Sequence, residues 1–409
     1  MLNAIWVGFF LVAFIMGLVK FALLGQGDVF VQMMRAIFDM SKVAFEIALG
    51  LTGIMTLWLG ILRVGERAGF LLQLTRFLNP LFRRLFPEVP PNHPALGSMT
   101  MNMGANMLGL DNAATPIGLK AMGELQSLNR VPDTASDAQI LFLVINASSV
   151  TLLPVTIFTY RAQMGAADPT DVFIPILIAT YVSTMVGLIA TALFQKINLL
   201  DRVVVAYLGG MSAAVAGLVA YFSHLSPAQM QQQSAFLSNF LLLSLVIVFL
   251  VGAMRARINA YETFIEGAKE GFAIAVGIIP YLVAMLVAVG VFRASGALEM
   301  VLEGMRWLVS YAGFDTRFVD GLPTALVKPL SGSGARAMMI DTMKTYGADS
   351  FAGRLACVIQ GSTETTFYVL AVYFGSVGVK RARHAVSCAL LADLGGVVAA
   401  IWVTYLFFG

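Results

Sequence analysis

Long apolar runs dominate the chain. Stretches of about 20 residues, enough to cross a hydrocarbon layer of about 30 Å, occupy residues 2–24, 43–62, 139–160, 172–195, 203–222, 236–254, 272–292, 354–376 and 386–408. They predict nine full spans. Two further regions, 95–130 and 320–350, are apolar in part but interrupted by Gly, Pro, Asn and charge. The interruptions read "MNMGANMLGLDNAATP" from Met101 to Pro116 and "KPLSGSGARAMMID" from Lys328 to Asp341. In each, Gly-Ala is followed by an aspartate at the same spacing: Gly104, Ala105 and Asp111 in one, Gly334, Ala335 and Asp341 in the other. These regions predict broken or re-entrant helices.

Composition strengthens this reading. Of 409 residues, 58% are hydrophobic and only 12% charged, against about 45–50% apolar and about 25% charged in a soluble domain. The chain is therefore expected to be an all-α integral membrane protein. A net charge of +3 spread over many loops gives no basic face for nucleic acid. Cys357 and Cys388 both lie in apolar runs and are expected to pack rather than to form a disulfide or bind metal. The first run, 2–24, lacks a basic leader and a small-residue cleavage signature, so it reads as a retained membrane helix. Lys and Arg in the loops favour a cytoplasmic N-terminus: Arg63, Arg67, Arg76, Arg83 and Arg84, then Lys196 and Arg202, then Arg255, Arg257 and Lys269, then Lys380, Arg381 and Arg383 fall on one side. The loop at 161–171 has only Arg161, and that at 223–235 has no basic residue. The basic stretch 293–353 departs from the pattern, but it contains a broken segment whose charges can be buried in protein.

The two halves resemble each other. "SKVAFEIALG" (Ser41 to Gly50) matches "AKEGFAIAVG" (Ala268 to Gly277), and "VINASSVTLLP" (Val144 to Pro154) matches "VIQGSTETTFY" (Val358 to Tyr368). Each half runs in the same order: a span, an amphipathic stretch, a broken segment, then two spans. If the broken segments do not fully cross, the spans starting at Val43 and Phe272 are five crossings apart and point in opposite directions. The repeat is then inverted, as in many secondary transporters that hold substrate near the midplane between discontinuous helices.

Non-helical backbone survives at membrane depth only inside protein or beside water. The glycines near Ser331 and Ser333 permit a tight break, and the helix that follows could offer N-terminal amides to an anionic or polar group, with Arg336 adding charge. In the first half Asn102 and Asn106 stand at the equivalent place. A phosphate loop would need a Lys-Ser or Lys-Thr close and a preceding strand, and neither is present. Glu364 lies in an otherwise apolar span among Gln360, Ser362, Thr363, Thr365 and Thr366. A charge at that depth costs about 2.5–3.5 kcal/mol and usually faces a cavity or a partner, so Glu364 is the leading candidate for ion coupling, with an ion pair to Arg336 or Lys328 as the alternative. Its counterpart is Val150, flanked by Asn146, Ser148, Ser149 and Thr151. Asp111 and Asp341 could couple ions or serve only as caps and interhelical bonds, and Asp393 is expected to make an interhelical bond. Lys42 and Lys269 snorkel at helix ends. His93, His224 and His384 lack metal-ligand spacing, and no nucleophile–base pair or nucleotide fingerprint appears, so neither an enzyme nor a cofactor is expected.

The strings "NMGANMLGLDNAATPIGLKAMGEL", "INASSVTLLP" and "GSTETTFYVLAVYFGSVGVKRARHA" resemble the bacterial spore maturation proteins A and B, the first half being similar to A and the second to B. That resemblance implies a fusion. Residues 1–200 would form the A-like half, with a Gate domain over about 43–160, and residues 201–409 the B-like half, with a Gate domain over about 270–376. It further implies the so-called nucleoside-recognition or Gate domain, similar to parts of concentrative nucleoside transporters and ferrous-iron transporters, and a link to cortex formation and core dehydration in spore-formers. The label does not identify a ligand.

The expectation is a multi-pass protein of the bacterial inner membrane that moves a polar or anionic small molecule, or a lipid-linked envelope precursor, coupled to protons or sodium. Asn102, Asn106, Asn146, Ser331, Ser333, Arg336, Gln360 and Thr363 would bind the substrate; Glu364, with Asp111 or Asp341, would carry the ion. Membrane lipids are expected partners, and a homo-oligomer through the N-terminal spans is expected by analogy. The rival is a non-transporting scaffold for cell-envelope synthesis.

Overall fold

In hydrocarbon the backbone must satisfy its own polar groups, which a helix does within one segment. The computed structural model describes residues 2–148 and 150–409, without the side chains of Leu2, Asp111, Asn112, Ala113, Pro227 and Ala228. Among the described residues it is helical throughout, and the β-bridge between Thr134 and Arg381 is isolated. The helices are α1 (Leu2–Leu24), α2 (Asp28–Arg67), α3 (Phe70–Leu85), α4 (Pro94–Met107), α5 (Asp111–Gln126), α6 (Asp137–Ser148), α7 (Val155–Gln163), α8 (Phe173–Gln195) and α9 (Arg202–Ser223). They continue with α10 (Pro227–Arg255), α11 (Ala260–Gly277), α12 (Ile279–Ala294), α13 (Ala297–Tyr311), α14 (Leu322–Val327), α15 (Gly332–Tyr346), α16 (Phe351–Ser362), α17 (Thr366–Ser376) and α18 (Ala385–Phe408). A 3₁₀ turn, Arg317–Gly321, precedes α14.

Eight helical segments among the described residues are long and apolar enough to cross a membrane, against the nine expected. The difference lies at 139–160, which is not one span but α6 and α7, with the non-helical residues 150–154 before α7. Pro154 has no N–H to donate and pushes Leu153 out of the helical region, and the preceding hydroxyl side chains compete for backbone groups. The expected span 354–376 is broken as well, at Thr363 to Thr365 between α16 and α17. Discontinuous helices thus occur in both halves at the matched "INASS" and "GSTETT" strings.

The two regions expected to be broken are hairpins, α4–α5 and α14–α15. Gly109 in the first turn has φ +70°, and an added Cβ would stand 2.9 Å from the Leu153 carbonyl oxygen. A side chain there would be both strained and blocked.

Cα packing divides the chain into two compact units that interleave the sequence halves. Unit 1 comprises 1–58, 156–169 and 268–360; unit 2 comprises 59–155, 170–267 and 361–409. Unit 1 thus holds the second half's hairpin and α16 with the first half's α7. Unit 2 holds the first half's hairpin and α6 with the second half's α17 and α18.

Within unit 2, the repeat-equivalent helices α8 and α18 pack side by side. Phe194 stacks on His384 with ring centroids 5.1 Å apart, Ser183 Oγ donates to the Ala392 carbonyl at 2.9 Å, and a Cβ on Gly396 would touch Ser183 Cβ at 3.1 Å. Rising numbers on one helix meet falling numbers on the other, so the equivalents are antiparallel. The repeat-equivalent pair α2 and α11 runs the same way. A Cβ on Gly271 would meet the Met55 carbonyl oxygen at 2.8 Å, and one on Gly267 would meet the Leu59 carbonyl oxygen at 2.5 Å. Equivalent elements running in opposite directions are the geometry of an inverted repeat. Gly267 and Gly271 stand one turn apart and bring two backbones into contact, which is how membrane helices associate without a hydrophobic drive between them. Outward, α9 and α10 expose Tyr221, Phe236, Phe240 and Leu243, an apolar surface suited to lipid.

Two outcomes are expected. Gly267→Leu or Gly271→Leu should destabilise the purified protein by at least ~1–3 kcal/mol through overpacking, whereas Gly277→Ala, with nothing within 4 Å of the added carbon, should leave its thermal transition in place. Residues 1–200 and 201–409 produced as separate fragments should each be degraded alone and accumulate when co-produced, because each compact unit needs segments from both; immunoblotting of membranes reads this directly.

Candidate functional site

In unit 2 the first break is tied down by polar side chains from three helices. Asn102 on α4 is fully buried and donates through Nδ2 to the Ala114 carbonyl at 2.8 Å. Asn106, one turn on, donates to Asn146 Oδ1 at 2.8 Å. Asn146, near the end of α6, donates to the Phe142 carbonyl at 2.8 Å, and the Tyr373 hydroxyl on α17 donates to Asn146 Oδ1 at 3.3 Å. The rings of Tyr373 and Phe142 stack with centroids 5.9 Å apart. Gly118 on α5 makes room, since a Cβ there would strike the Tyr373 hydroxyl. The three asparagines expected to bind substrate therefore lie together, and they bind one another.

The second break passes beside the first. The Glu364 amide donates to the Ala147 carbonyl at 2.8 Å, so the end of α6 finds its partner in the non-helical stretch before α17. Leu152 N donates to the Met107 carbonyl at 2.9 Å, and Thr184 Oγ1 donates to the Ser148 carbonyl at 2.6 Å. These bonds supply the groups that the interrupted helix leaves open. Thr363 is buried, and a Cβ on Gly396 of α18 would come within 2.9 Å of its methyl group. Thr366, at the start of α17, donates to Asp393 Oδ2 on α18 at 2.7 Å. The Glu364 side chain is exposed and has no ion-pair partner among the described residues. The Asp111 side chain and Ser149 lie outside the described residues.

In unit 1, Ser331 caps α15, its Oγ accepting from the Gly334 amide at 3.0 Å and standing 3.3 Å from Ser333 Oγ. One of the N-terminal amides of the helix expected to face a ligand, that of Gly334, is thus already engaged. Gly334 itself is packed, with Val327 Cγ1 2.8 Å from where a Cβ would be, and Gly104 in unit 2 is likewise buried against Leu71 at 3.1 Å. The hairpin glycines serve close packing. Arg336 lies over the Tyr160 ring of α7 at 5.6 Å, a cation–π contact. Lys328 is buried and donates through Nζ to the Gln360 carbonyl at 2.9 Å, a cation at the C-terminal end of α16 where the helix dipole favours it. Gln360 Oε1 is buried without a hydrogen-bond donor among the described residues, an open acceptor beside that lysine-bound carbonyl.

Asp341, an expected ion-coupling group, is 6% exposed and paired with Arg293, whose Nη2 is 2.6 Å from Oδ2 and whose Nη1 also reaches Glu299 at 2.7 Å. Sequence reasoning missed this partner because α12 and α15 are far apart in the chain. It also read Arg161 as a loop charge. Arg161 is fully buried in α7 and donates to the carbonyls of Ala348 at 2.7 Å and Asp168 and Pro169 at 3.2 Å, with Asp349 Oδ1 at 3.0 Å. Tyr373 gave no signal in the sequence beyond its aromatic type.

Outside the membrane helices, unit 2 carries a cavity of about 680 Å³ lined by Glu88, Arg130, Asp137 and Arg383. Burial raises the Glu88 carboxyl, helped by the nearby Asp137 charge. Asp133 is held below the usual carboxylate range by its hydrogen bond from Arg381, the pair that joins the loop before α6 to the loop before α18.

The Gate family, described as nucleoside recognition, matches residues 48–164 and 275–380. Spore maturation protein B of Bacillus subtilis (strain 168) is 47% identical over 175 residues, which are 42% of this chain and 97% of that protein. Spore maturation protein A of the same organism is 34% identical over 194 residues, 47% of this chain and 95% of that protein. No solved structure matches the chain.

Arg293→Gln should strand the Asp341 carboxylate and destabilise the protein by ~3–5 kcal/mol, with Arg293→Gln/Asp341→Asn recovering most of the loss in thermal unfolding. Asn146→Leu should cost about 1–3 kcal/mol by leaving the Asn106 amide and Tyr373 hydroxyl unsatisfied, and Tyr373→Phe less.

Proposed function

Since the chain belongs to the Gate family and carries in one polypeptide regions similar to spore maturation proteins A and B, we propose that it is a membrane transporter for a polar or anionic small molecule, or for a lipid-linked envelope precursor, driven by protons or sodium. The observation that carries this reading is Glu364. Its carboxylate is exposed, without an ion-pair partner among the described residues, and attached to a helix break within a membrane-crossing segment, a position where an ionisable group is costly unless it meets water or cargo. The open acceptor of Gln360 and the buried cation of Lys328 support a polar ligand in unit 1. The family's description makes nucleosides the first compounds to try, and a nucleotide-linked sugar tests the envelope-precursor reading.

In this reading Glu364 binds and releases the coupling ion in unit 2, where the Asn102, Asn106 and Asn146 network holds the first break rigid, and Gln360 and Arg336 of unit 1 contact the cargo. The protein sits in the bacterial inner membrane with its N-terminus in the cytoplasm, by the distribution of Lys and Arg between loops, and it acts without chemistry on its cargo. A second reading, a non-transporting scaffold for envelope synthesis, is favoured by the way the three asparagines satisfy each other.

Uptake of radiolabelled uridine and UDP-N-acetylglucosamine into proteoliposomes, under imposed proton and sodium gradients, separates the two. Glu364→Gln should abolish gradient-driven accumulation while leaving thermal stability unchanged. Full coupled uptake by that variant would remove Glu364 from the coupling role, and no uptake of any cargo by the native protein would favour the scaffold.

A further inference from the structure

The geometry points to a binding site for the phosphate of an anionic lipid headgroup on the outer face of α3, in unit 2. This helix is divided lengthwise. Leu78, Leu81, Phe82 and Leu85 are buried, while Arg76, Asn79, Pro80, Arg83 and Arg84, also at helical spacing, face the other way. That second face borders an open cavity of about 530 Å³ also lined by Pro91 and Val203.

Three guanidinium groups therefore converge on one recess. Arg83 Nε donates to Asn79 Oδ1 at 3.1 Å, which holds its fork in place. Arg84 Nε lies 3.8 Å from Asp201 Oδ1, a distance too long for a hydrogen bond. Arg76 has no ion-pair partner among the described residues. One carboxylate thus faces three positive charges, and Asp201 is already engaged as the cap of α9, accepting from the Val203 amide at 2.9 Å. The planar donors left over match the oxygens of a phosphate group.

The surroundings favour a lipid as the bearer of that phosphate. Leu72 and Phe77 on α3 are exposed, as are Leu200 and Val205 beside Val203. Acyl chains can lie on this apolar rim while the headgroup enters the recess. The helix is fixed against α9 by the Tyr207 hydroxyl, which donates to the Phe77 carbonyl at 2.7 Å, so the recess is built into the fold. Its counterpart in the second repeat differs. α13 carries Glu299, Glu303 and a single arginine, Arg306, which pairs with Asp320. Of these two equivalents α3 is the one equipped for an anion, so the site marks the leaflet in which α3 lies.

Native mass spectrometry of the full-length protein, with phosphatidylglycerol, phosphatidylcholine or inorganic phosphate added, tests this. Phosphatidylglycerol should bind at least about tenfold more tightly than phosphatidylcholine, and Arg76→Gln/Arg83→Gln/Arg84→Gln should abolish that preference, as expected for lost charge-assisted bonds. Arg35→Gln, on an exposed face of α2, should keep it. If the triple variant does not fold, Arg76→Gln alone, which breaks no internal ion pair, should weaken the preference several-fold. Retention of phosphatidylglycerol by the variants at the native level would overturn the site, and inorganic phosphate competing at equal concentration would overturn the lipid as its source.

Discussion

Everything in this fold answers to the backbone hydrogen bonds released where two membrane helices are interrupted. An α-helix leaves its last carbonyls and the amides of the following turn without partners, and hydrocarbon provides none. Here the partners are other helices. The Ala147 carbonyl takes the Glu364 amide, the Ser148 carbonyl takes the Thr184 hydroxyl, and the Met107 carbonyl takes the Leu152 amide. Such bonds require close approach, and Gly187, Gly396 and Gly109 supply it where Cβ atoms would collide with neighbours. At the second repeat's discontinuity the long side chain of Lys328 does the same for Gln360.

This requirement explains why the compact units ignore the sequence halves. The non-helical stretch of one repeat is completed by material from the other, so α17 and α18 join α6 and the first hairpin, while α7 joins the second. Antiparallel equivalents, α8 with α18 and α2 with α11, are the expected consequence of folding two similar but oppositely directed repeats around shared contacts. The repeats are alike in backbone and unlike in chemistry. The first is closed by neutral carboxamides that satisfy each other, and the second carries Lys328, Arg336 and an exposed Glu364.

Much of this was legible in the chain. Hydropathy gave the long spans, Gly and Pro marked the hairpins, and the paired strings gave the repeat. The breaks at "INASS" and "GSTETT" were hidden because averaged hydropathy stays high across a few hydroxyl residues flanked by Leu, Ile and Phe; the polar letters were seen as candidate ligands when they also signalled interruption. Asn102, Asn106 and Asn146 stand together in the sequence reading as candidate ligands; that they bond to each other depends on α4 and α6 meeting in space. The partners of Asp341 and Arg161 lay beyond reach for the same reason. Arg293 is 48 residues from Asp341, and Ala348 is 187 residues from Arg161. Contacts of this separation have no local pattern.

The interleaving also sets an order of events during synthesis. As the nascent polypeptide leaves the ribosome, α4, α5 and α6 enter the bilayer long before α17 and α18 exist, so the Ala147 carbonyl, whose partner is the Glu364 amide, must wait with makeshift partners, water or insertion machinery. Tertiary closure around it is therefore postponed until the second repeat emerges, and quality-control proteases have their best access to the first repeat during that interval.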